Sequence, residues 1–180
     1  FRRLLAEGAL NAAFVPMWLR IRNRDGAEGA RMFGENVLGL MILGLGALAL
    51  AGVIFAPAVV RVLAPGFAPE SARLLLAADY ARLSIPYVAI AGMVAVAAAV
   101  LNAEMRVGAA ALGIVIFNGV LIAVILGAIA AGAGASPMTG LVLAGAVVLA
   151  GLAQLLLVGA ALIHLPLAPR RPRLDGAADA

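Results

Sequence analysis

Long stretches without a charged residue are the feature that most constrains the fold of this sequence. Three such stretches occupy residues 37–60, 83–103 and 107–169. A helix needs about 20 apolar residues to cross the hydrocarbon core of a bilayer. The last stretch is too long for one crossing and is interrupted by GAGASPMTG at 132–140, so we expect it to cross twice. The pattern predicts four complete spans and an all-α fold, a polytopic transmembrane helix bundle.

The amino-acid composition supports a membrane protein and argues against nucleic-acid binding, catalysis and metal binding. Hydrophobic residues make up 65% of the chain and charged residues only 12%, about half the share found in soluble proteins. The net charge of +4 is explained by arginines in the predicted connections, so no nucleic-acid partner is expected. The chain has no cysteine and a single histidine, and it has no metal-binding or nucleophile motif. We therefore predict a protein that is not an enzyme and that binds no metal or other cofactor.

The opening segment, FRRLLAEGALNAAFVP, places ionisable residues in an otherwise apolar helix that would form part of a fifth span. Arg3, Glu7 and Asn11 are spaced at i, i+4 and i+8 and share one helix face. Charges inside a span are costly and indicate a functional site or a pairing partner. Arg2 and Arg3 are thus either an anion site of a transporter or anchors to lipid headgroups. Glu7 either pairs with Arg3 or forms a gate or ion-coupling contact.

Arginines in alternate connections predict the orientation of the spans. Those at 20–31, at 106 and at 170–173 are expected to face the cytoplasm, because cytoplasmic loops carry an excess of basic residues. The predicted spans are approximately 1–19, 37–60, 83–103, 107–131 and 139–163, with a polar connection at 20–36. Residues 170–180 form an arginine-rich cytoplasmic linker, and residues 71–83 are predicted to form a short amphipathic helix at the outer surface.

The remaining polar residues are predicted to have structural roles. We expect Asn11, Asn102 and Asn118 to make hydrogen bonds between helices rather than to bind ligand, since a buried amide in a membrane needs a partner. Trp18 is typical of the aromatic belt at a membrane interface. Glu104 is interpreted as a lone carboxylate in a loop.

Several sequence blocks together resemble a known family. RRLLAEGALNAAFVP, APGF, IPY and LNAEMR occur in this order, followed by Asn118. The chain resembles the MurJ/MviN lipid II flippases, members of the multidrug/oligosaccharidyl-lipid/polysaccharide exporter superfamily. The resemblance implies that residues 1–169 form part of the N-terminal lobe of a two-lobe exporter, as a fragment of a longer protein.

The resemblance also implies a function and a site. Proteins of this family move lipid II, the undecaprenyl-pyrophosphate-linked peptidoglycan precursor, across the bacterial cytoplasmic membrane by alternating access. Arg2 would bind the pyrophosphate, with Arg3 and Glu7 beside it, because a guanidinium offers a planar fork to phosphate oxygens. The expected partners are lipid II, membrane lipids and the remaining helices of the full-length protein. The alternatives are an exporter of another lipid-linked saccharide or of a drug, and a non-transporting scaffold for cell-wall assembly.

Overall fold

The chain forms a bundle of helices, with no strand among the residues that the structure describes. The structure is a computed structural model that describes residues 2–66, 68 and 71–165, with side chains from residue 12 onward. The predicted linker at 170–180 lies outside these residues. The helices are α1 Arg2–Ile54, α2 Ala56–Leu63, α3 Ala72–Ser84, α4 Tyr87–Ala103, α5 Val107–Ala130 and α6 Pro137–Ile163.

Four helical segments in the described part of the chain are long and apolar enough to cross a membrane. They are Ala12–Ile54, Ala72–Ala103, Val107–Ala130 and Pro137–Ile163. Large apolar side chains such as Leu40, Leu126 and Leu156 are exposed on the outside of the helices, where lipid or further helices would cover them. The predicted class, an all-α transmembrane bundle, is confirmed.

Helix α1 is broken at Gly26 into two arms, an N-terminal arm (residues 2–25) and a C-terminal arm (residues 27–54). Gly26 has φ 72° and ψ −163°, a conformation that is essentially restricted to glycine. The rings of Phe14 and Phe33 stack across the break with their centroids 5.3 Å apart. The two arms therefore fold back toward each other, and the glycine makes this turn possible.

We expect Gly26→Ala to destabilise the protein by about 1–3 kcal/mol, the usual cost of forcing a side chain into such a conformation. No atom lies within 4 Å of the position that a Cβ would occupy, so the cost is backbone strain alone. Thermal unfolding of the purified full-length protein in detergent measures it. Gly44→Ala is the matched control, since this helical glycine also has open space around it and alanine favours helix. Equal stability of the two variants would contradict the assigned strain.

The structure departs from the predicted polar connection at 20–36, because these residues are helical on both sides of Gly26. Ion pairs at helical spacing explain the difference. Arg31 Nη2 lies 2.6 Å from Glu28 Oε1, and Arg31 Nε lies 3.9 Å from Glu35 Oε1. Pairs at i, i+3 and i, i+4 stabilise a helix that is polar in composition. The polar composition predicted a connection between spans, whereas the ion pairs support helix on both sides of a single glycine.

One end of the bundle contains its largest apolar core. Both arms of α1 pack there against the last turns of α4, and α4 in turn packs against α6. The buried members of this core are Phe14, Trp18, Ala30, Val96, Ala97, Ala99, Val100, Leu101, Ala103, Val158, Leu162 and Leu165. The 20–31 region, the α4–α5 turn and the end of α6 thus lie at the same end, which agrees with the grouping of arginine-bearing connections that the sequence predicts.

Helix α3 joins the opposite end of the bundle. Ser71 begins the helix by accepting a hydrogen bond at its side-chain oxygen from the backbone N–H of Leu74, at 3.2 Å. Tyr80 donates its hydroxyl to the carbonyl of Pro137 at the start of α6, at 3.2 Å. Leu74 and Ala78 are buried, whereas Leu75 is exposed. The predicted helix is present and packs between α2 and α6.

Candidate functional site

The predicted substrate-binding residues lie near the beginning of the N-terminal arm. Arg2, Arg3, Glu7 and Asn11 belong to helix α1 by backbone conformation, and their side chains lie outside the described residues. Their roles remain predictions. What the structure does describe is how the following turns of the same arm are attached to the bundle.

Aromatic packing attaches the middle of the arm. Phe14 stacks on Trp18 with ring centroids 5.5 Å apart and on Phe33 of the C-terminal arm. Phe14 is 3% exposed and Trp18 is fully buried. Such ring pairs contribute about 0.5–1.5 kcal/mol beyond the area they bury. Among residues 12–25 these two side chains alone are buried, so the arm is attached along a narrow strip.

A polar cluster follows one turn further along the arm. The Nη1 atom of Arg22 donates to both carboxylate oxygens of Glu104, at 2.8 and 3.0 Å. The indole N–H of Trp18 donates to Glu104 Oε1 at 3.1 Å. The Glu104 side chain is 10% exposed and that of Arg22 is 40% exposed. We call these three residues the Glu104 clamp, because together they join the N-terminal arm of α1 to the turn between α4 and α5.

The turn that carries Glu104 is itself closely fixed. Met105 has φ 60°, in the left-handed region that ends many helices. The backbone N–H of Glu104 donates to the carbonyl of Val100 at 3.0 Å, and that of Arg106 donates to the carbonyl of Leu101 at 2.8 Å. The carboxylate thus projects from a hydrogen-bonded turn rather than from a free loop.

Two sequence interpretations are wrong at this point. Trp18 does not lie in an exposed interfacial belt, because it is fully buried inside the bundle, and Glu104 is not isolated, because it accepts three hydrogen bonds. Sequence reasoning missed the contact because its partners are 82 and 86 residues apart. A signal was present: Phe14, Trp18 and Arg22 recur at i, i+4 and i+8, which indicates one helix face.

Asn118 and Asn102, which were both predicted to make hydrogen bonds between helices, differ in their surroundings. Asn118 is exposed and donates its side-chain amide to the carbonyl of Ile114, one turn earlier in α5, at 2.8 Å. The structure therefore places this hydrogen bond within a helix rather than between helices. Asn102 has a buried Oδ1 atom that accepts no hydrogen bond from the described residues, and Asn36 Oδ1 is in the same state. A buried carbonyl oxygen without a donor is energetically costly.

A buried acid lies in the C-terminal arm of α1. Glu35 is 3% exposed, and its Oε1 atom lies 3.9 Å from Arg31 Nε. The cation next to it offsets part of the cost of removing a carboxylate from water. Neither Glu35 nor Arg31 was predicted as a site residue, since both fall in the stretch that the sequence assigned to a connection.

The fold and this distribution of charge define a class: a multi-pass α-helical membrane protein whose described ionisable residues are concentrated at helix ends and in the two arms of α1 on either side of Gly26. The family follows from comparison with known proteins. The family model described as lipid II flippase MurJ matches residues 1–177. The chain belongs to this family, and the resemblance stated from the sequence blocks is confirmed.

Curated relatives agree with this assignment. A probable lipid II flippase MurJ from Rhizobium meliloti (strain 1021) is 38% identical over 97% of this chain and 33% of its own length. A protein of the same description from Rhizobium tropici is 36% identical over 88% of the chain and 30% of its own length. The lipid II flippase MurJ of Burkholderia cenocepacia is 29% identical over 68% of the chain and 24% of its own length. The chain thus spans about a third of the length of these relatives or less.

Proposed function

We propose that the protein containing this chain is a lipid II flippase of the bacterial cytoplasmic membrane. It moves the undecaprenyl-pyrophosphate-linked peptidoglycan precursor from the inner to the outer leaflet, and this chain supplies part of its N-terminal lobe. The observation that carries the proposal is the match to flippases along 97% of the chain. The match includes the arm with Arg2, Arg3 and Glu7.

The proposed roles follow from charge in a medium of low dielectric. Arg2 binds the pyrophosphate, because a guanidinium stays ionised at all physiological pH values and donates to two phosphate oxygens at once. Arg3 contributes a second positive charge, and Glu7 limits the net charge of the arm or contacts the gate. The lipid tail stays in the bilayer while the two lobes rock around the headgroup, as expected for alternating access. Moving the lipid breaks no covalent bond, so the function requires neither catalysis nor a cofactor.

Complementation tests the proposal with the complete reading frame. A bacterium depleted of its own lipid II flippase is expected to resume growth and normal shape when the full-length protein is expressed in its membrane. A variant at matched expression that carries Arg2→Ala and Arg3→Ala together supplies the negative control. Failure of the wild-type protein to rescue, together with rescue of a strain lacking another lipid-linked saccharide exporter, would assign a different cargo. Failure in both strains would favour a scaffold.

A further inference from the structure

We propose that Glu104 is a positioning residue that sets the height and rotation of the N-terminal arm of α1, and thereby the placement of the arginines at its beginning. The proposal rests on the proposed function for the identity of the ligand, a lipid-linked pyrophosphate. It rests on the Glu104 clamp for its geometry. Glu104 acts through the arm and does not itself contact the ligand.

The attachment of the arm explains why a single carboxylate has this effect. Phe14 and Trp18 are the buried side chains of residues 12–25, and apolar ring contacts tolerate sliding and small rotations. Hydrogen bonds to a carboxylate are directional and, when charged, short and strong. The three bonds that Glu104 accepts from Trp18 and Arg22 therefore select one rotation and one height from those that the ring packing permits.

Because the arm is helical, its rotation and height at the clamp also affect the positions of residues at its other end. At 100° per residue, positions 14, 18 and 22 fall within the same arc of the helix as positions 3, 7 and 11. The arm is helical from Arg2 to the break at Gly26, with Pro16 inside it, and positions 3 and 22 are about 28 Å apart at 1.5 Å per residue. The proline removes one backbone hydrogen bond, but the arm stays helical on both sides of it, so a rotation or tilt at the clamp also moves position 3.

The hydrogen-bonded turn that carries Glu104 supports a positioning role. The carboxylate projects from a turn fixed by the bonds of Glu104 N–H to Val100 and of Arg106 N–H to Leu101. Loss of the clamp leaves the packing of α4 and α5 intact, because both helices also pack against α6. The loss is therefore expected to be local to the arm rather than general.

Cysteine labelling in the full-length protein tests the proposal without any substrate. This chain has no native cysteine, so a single reporter is introduced at Ala6, one turn after Arg2, in a background with any other cysteines replaced. The rate of alkylation by N-ethylmaleimide is measured in membranes. We expect Glu104→Ala to change this rate about 2-fold to 30-fold, the range of couplings transmitted between sites. Glu104→Gln, which keeps an acceptor for Trp18, gives a smaller change.

Two controls separate positioning from general instability. A second reporter at Ala133, exposed in the turn between α5 and α6, reports on the fold, and its rate is expected to stay unchanged in Glu104→Ala. Asp79→Ala removes a carboxylate that also binds an arginine, Arg82, at 2.7 Å, but this pair is exposed and lies within one helix, so we expect it to leave both reporters unchanged. Unchanged labelling at Ala6 in Glu104→Ala, or parallel changes at Ala6 and Ala133, overturns the proposal.

The same experiment keeps the two proposals distinct. If Glu104→Ala shifts labelling at Ala6 while Arg2→Ala still rescues growth, the positioning role is supported and the pyrophosphate role of Arg2 is wrong. If Arg2→Ala abolishes growth while labelling at Ala6 is unchanged in both Glu104 variants, the flippase proposal stands and the positioning role is wrong.

Discussion

Arg2→Ala is expected to abolish rescue of a flippase-depleted bacterium by the full-length protein. A guanidinium that binds pyrophosphate in a poorly solvated site makes charge-assisted, two-pronged hydrogen bonds. Truncating one partner of such a pair costs about 2–5 kcal/mol, which is enough to empty the site at cellular substrate levels. Arg2→Lys keeps the charge but not the planar fork, so we expect weak rescue. Growth at matched membrane expression is the measurement.

Arg20→Ala is the matched control for this prediction. It removes the same side chain from the same arm, at an exposed position close to the arginine-rich end of the bundle. Neighbouring arginines maintain the charge asymmetry that orients the spans, so this variant should rescue growth. Full rescue by Arg2→Ala would remove Arg2 from the site, and loss of rescue by Arg20→Ala would show that the assay responds to charge alone.

Trp18→Ala is expected to lower the free energy of unfolding of the full-length protein by about 3–5 kcal/mol, the range for emptying a buried aromatic position. The side chain is fully buried in the apolar core that α1 shares with α4 and α6, and its loss leaves a cavity and breaks the bond to Glu104. Trp18→Phe fills most of the space and loses only the donor, at a cost of about 0.5–1.5 kcal/mol. Thermal unfolding in detergent checks both values.

Met17→Ala provides the comparison for the tryptophan variants. Met17 precedes Trp18 in the arm and is 45% exposed, so its truncation should change stability by well under 1 kcal/mol. The expected order of destabilisation is Trp18→Ala, then Trp18→Phe, then Met17→Ala. If Trp18→Ala is no worse than Met17→Ala, the arm is not attached to the bundle through Trp18, and the interfacial interpretation of this residue is restored.

Local features of the fold could be predicted from the sequence because they depend on nearby residues. Helix α6 begins where Ser136 accepts a hydrogen bond from Thr139 N–H, followed at once by Pro137, a combination that favours a helix start. Helix α5 follows from an uninterrupted apolar stretch. The break at Gly26 is marked by an Asp-Gly pair, although the sequence suggested a longer loop there.

The Glu104 clamp could not be predicted in the same way. It depends on how α1 crosses the α4–α5 turn, and periodicity along one helix does not specify which other helix lies opposite. The spacing of Phe14, Trp18 and Arg22 indicates that they share one face of the N-terminal arm, but it does not indicate which element packs against that face. By contrast, the residues predicted to bind substrate were found from the cost of placing charge in a span, which is a local argument.

Direct measurement of lipid II movement tests the central claim, that the protein containing this chain is a lipid II flippase. In cells that depend on the full-length protein, lipid II in the outer leaflet is quantified by its accessibility to an externally added enzyme that cleaves its headgroup. We expect accessible lipid II to be abundant with the wild-type protein and to fall to the level of flippase-depleted cells with Arg2→Ala. Equal accessibility with and without the wild-type protein would contradict this claim.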